Sequence, residues 1–145
     1  MAVSAKIYGK FFLSAFNKEL DLDTDTLKVM LCTSSYTPDQ DTHQYKSSIT
    51  NEVSGTGYTA GGATLGSVTV AYAGAGNTIT LDAADTSWTT STITARYAVI
   101  YDSSPASDAT RPLIAYVDFG TDVISSAGTF LITWDATGIA IVTVA

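Results

Sequence analysis

The stretch Ile93-Thr94-Ala95-Arg96-Tyr97-Ala98-Val99-Ile100-Tyr101 decides the fold of this chain. Ile93, Ala95, Tyr97, Val99 and Tyr101 recur at every second position, the period at which side chains of a strand return to one face, until Ser103-Ser104-Pro105 breaks it. Working outward toward the C-terminus, Pro112 to Phe119 alternates Leu113, Ala115, Val117 and Phe119 and stops at Gly120. Thr129 to Trp134 then places Phe130, Ile132 and Trp134 on one face, and an Asp135-Ala136-Thr137-Gly138 turn returns the chain as Ile139 to Val144. Toward the N-terminus, Leu65 to Tyr72 and Thr78 to Asp82 flank Gly74-Ala75-Gly76-Asn77, the composition of a hairpin. A first strand is expected from Thr26 to Thr33. Short strands separated by turn signals make this a mainly β chain, an antiparallel sandwich or barrel of about six to eight strands.

Only residues 4–17 carry a helical period, with Ala5, Tyr8, Phe12 and Phe16 at spacings of three and four and Phe11 and Ala15 widening the stripe. The expected element is one short amphipathic N-terminal helix. It packs on the domain's own sheet or serves as an arm that docks on a neighbouring subunit, since three phenylalanines are dense for so short a helix. Between residues 34 and 62 the chain is polar and turn-rich, and a structureless loop of that length is unusual. A short helical turn is therefore expected around Thr42 to Ile49, with the remainder a candidate functional loop. The whole chain, 1–145, is expected to form a single β domain: a helix or arm over 1–17, a long loop region over 34–62 and a β core over 63–145.

The length of 145 residues suits one domain. Charged residues make up 14% against the usual quarter or so, and their place is taken by 23 Thr, 15 Ser and 19 Ala. Thr favours a pleated surface over a helix, in keeping with the strand pattern. The net charge is -7, and beyond Lys46 the only bases are Arg96 and Arg111. A nucleic-acid binder needs a basic stripe to neutralise phosphates, so that class is excluded, and an acidic envelope also repels anionic membranes. No stretch approaches the roughly eighteen apolar residues of a membrane-spanning helix. Lys6 and Lys10 precede an apolar Phe11-Phe12-Leu13, but Ser14 and Asn17 break the run, so residues 1–16 do not read as a secretion signal. Cys32 is the single cysteine, which leaves no intramolecular disulfide and no cysteine zinc cluster, and its apolar surroundings fit a small buried hydrophobe.

Motifs that resemble sites of chemistry each lack a required part. Asp21, Asp23 and Asp25 have the opening spacing of a calcium loop, but the sixth position is Thr26 where that loop needs Gly, and the twelfth is Cys32 where it needs Glu. A solvated acidic turn is the expectation, with no metal. Gly55-Thr56-Gly57-Tyr58-Thr59-Ala60 matches a loose glycine fingerprint, yet no strand precedes it and no helix follows, so its glycines are expected to serve positive φ angles and close backbone contact. His43 is the only histidine, and no G-x-S-x-G elbow is present to partner it. Asp82, Asp85, Asp118 and Asp135 are the candidate carboxylates for glycoside hydrolysis, placed where Asp commonly makes local turn bonds. Trp88, Tyr97, Tyr101 and Trp134 form either core or a sugar-stacking platform. No catalytic residue and no cofactor is expected.

Several phrases together carry a resemblance: Asp23-Thr24-Asp25-Thr26-Leu27-Lys28-Val29 with Ser34-Ser35-Tyr36-Thr37-Pro38-Asp39; the run from Glu52 to Leu65; Arg96-Tyr97-Ala98-Val99-Ile100-Tyr101; and Leu113-Ile114-Ala115-Tyr116-Val117-Asp118-Phe119-Gly120. In this order, from about residue 7 to the end, the chain resembles a family of small structural proteins of tailed bacteriophages and prophages. The resemblance implies a virion component made in the bacterial host cytoplasm, a decoration or cement protein on the outer head surface. A tail or head-fibre station is the alternative. The implied partners are the major capsid protein and copies of the chain itself, as a homo-oligomer such as a trimer, with neither nucleic acid nor membrane. Decoration proteins bind through terminal arms and exposed loops, so the candidate interface residues are Tyr8, Phe11, Phe12 and Phe16, followed by Tyr36, Tyr45 and Tyr58 of the long loop. The rival from another class is a β-sandwich that presents Trp88, Tyr97 or Tyr101 to a host glycan.

Overall fold

The alternating stretch around Tyr97 lies in the second half of a 17-residue strand, Thr86–Asp102. The computed structural model describes residues 2–145. In chain order the elements are β1 (Ser4–Ile7), α1 (Gly9–Phe16), β2 (Leu27–Cys32), a 3-10 turn (Lys46–Ser48), β3 (Ala63–Thr64), β4 (Thr69–Ala73), β5 (Thr78–Asp82), β6 (Thr86–Asp102), β7 (Leu113–Ile132) and β8 (Ala140–Thr143). They build two open antiparallel sheets, ordered β1-β7-β6-β2-β3 and β4-β5-β8, with one short helix. The expected mainly β architecture is present as a two-sheet sandwich, and no barrel closes among the described residues.

The central strand β2 and the end of β6 from Ala98 are buried on both faces, which is why both are apolar there at nearly every position, whereas the first half of β6 alternates buried with exposed residues. One face carries Leu27, Val29 and Leu31 opposite Ala98 and Ile100, and packs with Leu81 of the smaller sheet as the sandwich core. The other face carries Met30, Cys32, Val99 and Tyr101, and gathers Tyr8, Tyr36, Leu113 and Tyr116 into a second apolar cluster. That second cluster explains the long loop. Residues 33–51 fold over the outer face of the five-stranded sheet, placing Tyr36 inside and Ile49 against it, so the loop covers a core. Its expected helical turn appears as the single 3-10 turn within 42–49.

Three boundaries differ from the sequence expectation. Residues 4–7 do not extend the helix: Ser4 to Ile7 pair with Asp118 to Ala115 as β1. Ala5 and Ile7 alternate with Lys6, so this stretch satisfies a period of two as well as the helical one, and the open edge of β7 decides for strand. Gly120 does not end its strand. It has φ +78°, and the pairing moves from Tyr97 with Asp118 to Ala95 with Val123 across it, so the glycine bulges a 20-residue β7 that continues to Ile132. The Asp118 carboxylate pins the bulge, accepting the Gly120 N–H at 2.7 Å and Arg96 Nε at 2.6 Å. Finally, the Asp135–Gly138 turn does not return the chain onto β7. It carries it to the other sheet, where β8 pairs with β5 and the Ile139 N–H donates to the Leu81 carbonyl at 2.8 Å.

The expected strand from Leu65 to Tyr72 begins only at Thr69. Ser67 takes φ +51°, which separates β3 from β4, while the β4–β5 hairpin forms as expected from Thr69 with Asp82 to Ala73 with Thr78. Gly57 has positive φ as anticipated, and so do Gly61 and Gly62. Gly55 does not, and it is glycine because a side chain there would strike the Thr92 carbonyl of β6.

Candidate functional site

The helix that carries the phenylalanines begins without a side-chain cap, Tyr8 at its N-cap position contributing only its carbonyl to the Phe11 N–H. It closes with Lys18 at φ +59°. The Lys18 N–H reaches the Ala15 carbonyl at 3.2 Å and the Glu19 N–H reaches the Ser14 carbonyl at 3.0 Å, the paired bonds of a Schellman end formed without glycine. Eight residues are too few to hold a helix in water alone, so packing fixes it. Phe11 and Ser14 point inward and are buried, while Phe12, Leu13 and Phe16 are exposed, Phe16 to 84%.

Across from the helix, the inner face of the three-stranded sheet runs beyond the core that it covers. Val70, Leu81 and Ala140 lie side by side over the core, and the next row on the same face is Tyr72, Ile79 and Val142. Between that overhang and α1 lies a groove of about 330 Å³ whose walls are apolar side chains only, among them Phe12, Phe16, Ile79, Val142 and Val144. Its rim is open, with Val144 52% exposed. A contiguous apolar recess bordered by solvent is the surface feature that marks contact with another macromolecule. Beside it, β4 and β8 end the small sheet and β1 ends the large one, each with an edge unpaired among the described residues.

Of the seven residues expected at an interface, the structure leaves Phe12 and Phe16 on the surface beside one another and withdraws the rest to varying degrees. Phe11 sits in the main core. Tyr8 is fully buried because its ring packs on Tyr116, centroids 5.1 Å apart, and its hydroxyl lies 2.9 Å from Tyr36 Oη. Tyr36 is buried too, and its hydroxyl also lies 3.0 Å from His43 Nδ1. Burial raises both phenol pKa values, that of Tyr36 to about 12, so the pair stays neutral. Tyr45 is half-buried and donates to Glu19 Oε2 at 3.0 Å. Tyr58 is half-buried against Trp88, accepting the Leu31 N–H at 3.0 Å and donating to Glu52 Oε1 at 2.8 Å. These tyrosines fasten the loop to the sheet. Tyr8, Phe11 and Tyr36 are therefore corrected from contact residues to core residues.

The candidate catalytic groups each have a local partner. His43 belongs to the tyrosine chain just described. Asp118 is held below the usual carboxylate range chiefly by the Arg96 guanidinium. Asp135 accepts the Thr137 N–H at 2.8 Å, Asp85 accepts the Trp134 N–H at 3.0 Å, and Asp82 accepts the N–H of Ala83. Trp88 and Tyr101 are buried in different clusters, which removes them from a sugar-stacking platform. Cys32 is buried, and burial pushes its thiol up to about 12. Among the described residues no three His, Cys, Asp or Glu side chains gather as a ligand set.

Sequence reasoning missed the second wall of the groove. Ile79 with Leu81, and Val142 with Val144, alternate visibly, but only the pairing of β5 with β8 brings them level and opposite the helix. No family model matches the chain, and neither a curated protein nor a solved structure is found to be similar to it.

Proposed function

We propose that this chain is a non-enzymatic structural component of a tailed-phage virion, decorating and stabilising the outer capsid surface through contacts with the major capsid protein and with copies of itself. The observation that carries the proposal is the all-apolar groove between α1 and the three-stranded sheet, bordered by Phe12 and Phe16. Exposed phenylalanines cost solubility unless they are covered in use, and burying one such ring contributes about 1.5–3 kcal/mol to association. The resemblance of its phrases to phage structural proteins supports the same direction. So does the net charge of -7, which suits an outer surface better than contact with packaged genome. Low charge elsewhere means that few ionic groups are desolvated when a contact forms. The unpaired edges of β1, β4 and β8 offer backbone groups for self-association.

The test is to add the purified protein to undecorated heads of the encoding phage and locate it by electron microscopy. Regular density at equivalent positions on the outer head is the expected outcome. Density on the tail, or none on the particle, overturns the assignment.

A further inference from the structure

Where the chain leaves α1 for β2 it forms one wall of a cleft of about 720 Å³, lined by Glu19, Asp21, Asp23, Asp25 and Asp102, with Lys18 the single basic residue. The acidic turn is closed by its own backbone: the Asp21 N–H donates to Asp25 Oδ2 at 2.6 Å, and the Asp23 N–H to Asp21 Oδ1 at 3.0 Å. Such bonds are ordinary turn chemistry and point to no ligand.

Asp102 is different. It is the last residue of β6, paired with Leu27 at the start of β2, and it is 0% exposed. Its Oδ1 accepts the Ser104 N–H at 2.8 Å, whereas its Oδ2 is buried with no hydrogen-bond partner, and the side chain lines the acidic cleft. Asp25 lies two residues before Leu27, in the bend that leads into β2, and its side chain lines the same cleft as that of Asp102. Burial first, and then the Asp25 carboxylate, push the Asp102 carboxyl up, against the Ser104 N–H that holds it down. A dry, unpaired carboxylate oxygen facing a second carboxylate demands a proton or a cation between them.

We propose that a divalent cation of the calcium class binds in this cleft, bridging the Asp25 carboxylate and Asp102 Oδ2. The wall offers oxygen donors and no His, Cys or Met, the donor set of a hard cation. Calcium accepts an irregular shell of carboxylates, backbone carbonyls and water, whereas magnesium demands a near-octahedral one. Two bridging carboxylates make a weak site, with a dissociation constant on the order of 0.1–1 mM. The ion ties the turn that follows α1 to the β6–β7 connection, where the Ser103 N–H and hydroxyl both already donate to the Thr26 carbonyl. The cleft adjoins the apolar groove through Ala15, Leu22 and Val70, but the cation is argued from the carboxylates alone, so its fate does not depend on the capsid assignment.

The experiment is calorimetric titration of chelator-treated full-length protein with calcium chloride at constant ionic strength and neutral pH, alongside thermal melts. The wild type is expected to show saturable heat and a melting temperature that climbs with calcium. Asp102→Asn keeps the acceptor for Ser104 and supplies a donor for Asp25, so it should fold and melt no lower than calcium-free wild type while losing the calcium response. Asp25→Asn provides the second variant, and Asp122→Asn, outside the cleft, should respond like wild type. Absence of heat and of any melting shift up to about 10 mM calcium overturns the proposal and leaves a shared proton between the carboxylates. An equal response in wild type, Asp102→Asn and Asp25→Asn also overturns it, since general charge screening then accounts for the effect.

Discussion

Gly62→Ala is expected to destabilise the protein by about 2–4 kcal/mol. Gly62 precedes β3 and has φ +78°, a conformation that costs an L-residue about 1–2 kcal/mol. A Cβ at that position would also lie 2.6 Å from Met30 Cα and closer still to the Val29 carbonyl, both in the fully packed β2. Backbone cannot rotate away as a side chain can, so relief requires shifting the pairing of Ala63 with Val29, at an overpacking cost of about 1–3 kcal/mol. The lower entropy of the unfolded alanine chain returns about 0.4–1 kcal/mol. For a chain of this size the net loss lowers the melting temperature by roughly 5–15 °C, read by circular dichroism or calorimetry. Gly66→Ala is the internal control. A Cβ there meets nothing nearer than Ala84 Cβ at 4.0 Å and the backbone is not left-handed, so its effect should stay within about 0.5 kcal/mol. Equal melting of Gly62→Ala and wild type would refute the close packing of the 34–62 segment on β2.

Ser125→Ala should cost about 1–3 kcal/mol in urea unfolding, because Ser125 Oγ lies 2.7 Å from Ser91 Oγ and accepts the buried Ile93 N–H at 3.2 Å; a change under about 0.5 kcal/mol contradicts this. Cys32, with its thiol pushed up to about 12 by burial, should resist a thiol reagent near neutral pH in the native state and react fully in denaturant, so rapid native labelling would show the second cluster to be open. Asp118 is held low by Arg96 and the Gly120 N–H, so its contribution is present above the unfolded carboxylate value of about 3.9 and is lost as pH falls through the lower folded value. Asp118→Asn should therefore melt below wild type at neutral pH, with the gap closing as the pH falls below the usual carboxylate value of about 3.9; a gap independent of pH sinks this account.

What was legible in the sequence was the alternation itself. Leu27 to Leu31 and Ile93 to Tyr101 are strands because period-two apolar runs have no other way to bury themselves, and the glycine-rich link at 74–77 did mark a hairpin. Punctuation was less secure, because Gly120 serves equally well to end a strand or to bulge one, and only Arg96 on the partner strand makes Asp118 hold the bulge. Exposure was the least legible property. Tyr8 on an aromatic helical stripe and Tyr36 in a polar, turn-rich stretch look like contact residues, and what buries them is one another, across segments far apart in the chain. The acidic cleft has the same character: Asp21, Asp23 and Asp25 fail as a calcium loop in sequence, and the carboxylate that changes their meaning, Asp102, arrives through strand pairing.

The central claim is that the groove beside α1 is the surface by which this protein holds a capsid, and co-sedimentation of wild type and Phe16→Asp with undecorated heads tests it most directly. Phe16 is 84% exposed, so the substitution should leave the melting temperature nearly unchanged. Wild type should saturate the heads at a fixed copy number, and the variant should bind about ten- to a hundredfold more weakly, the equivalent of one buried aromatic ring. Equal occupancy by the two proteins would contradict the role of the groove, and heads that bind neither would contradict the capsid assignment itself.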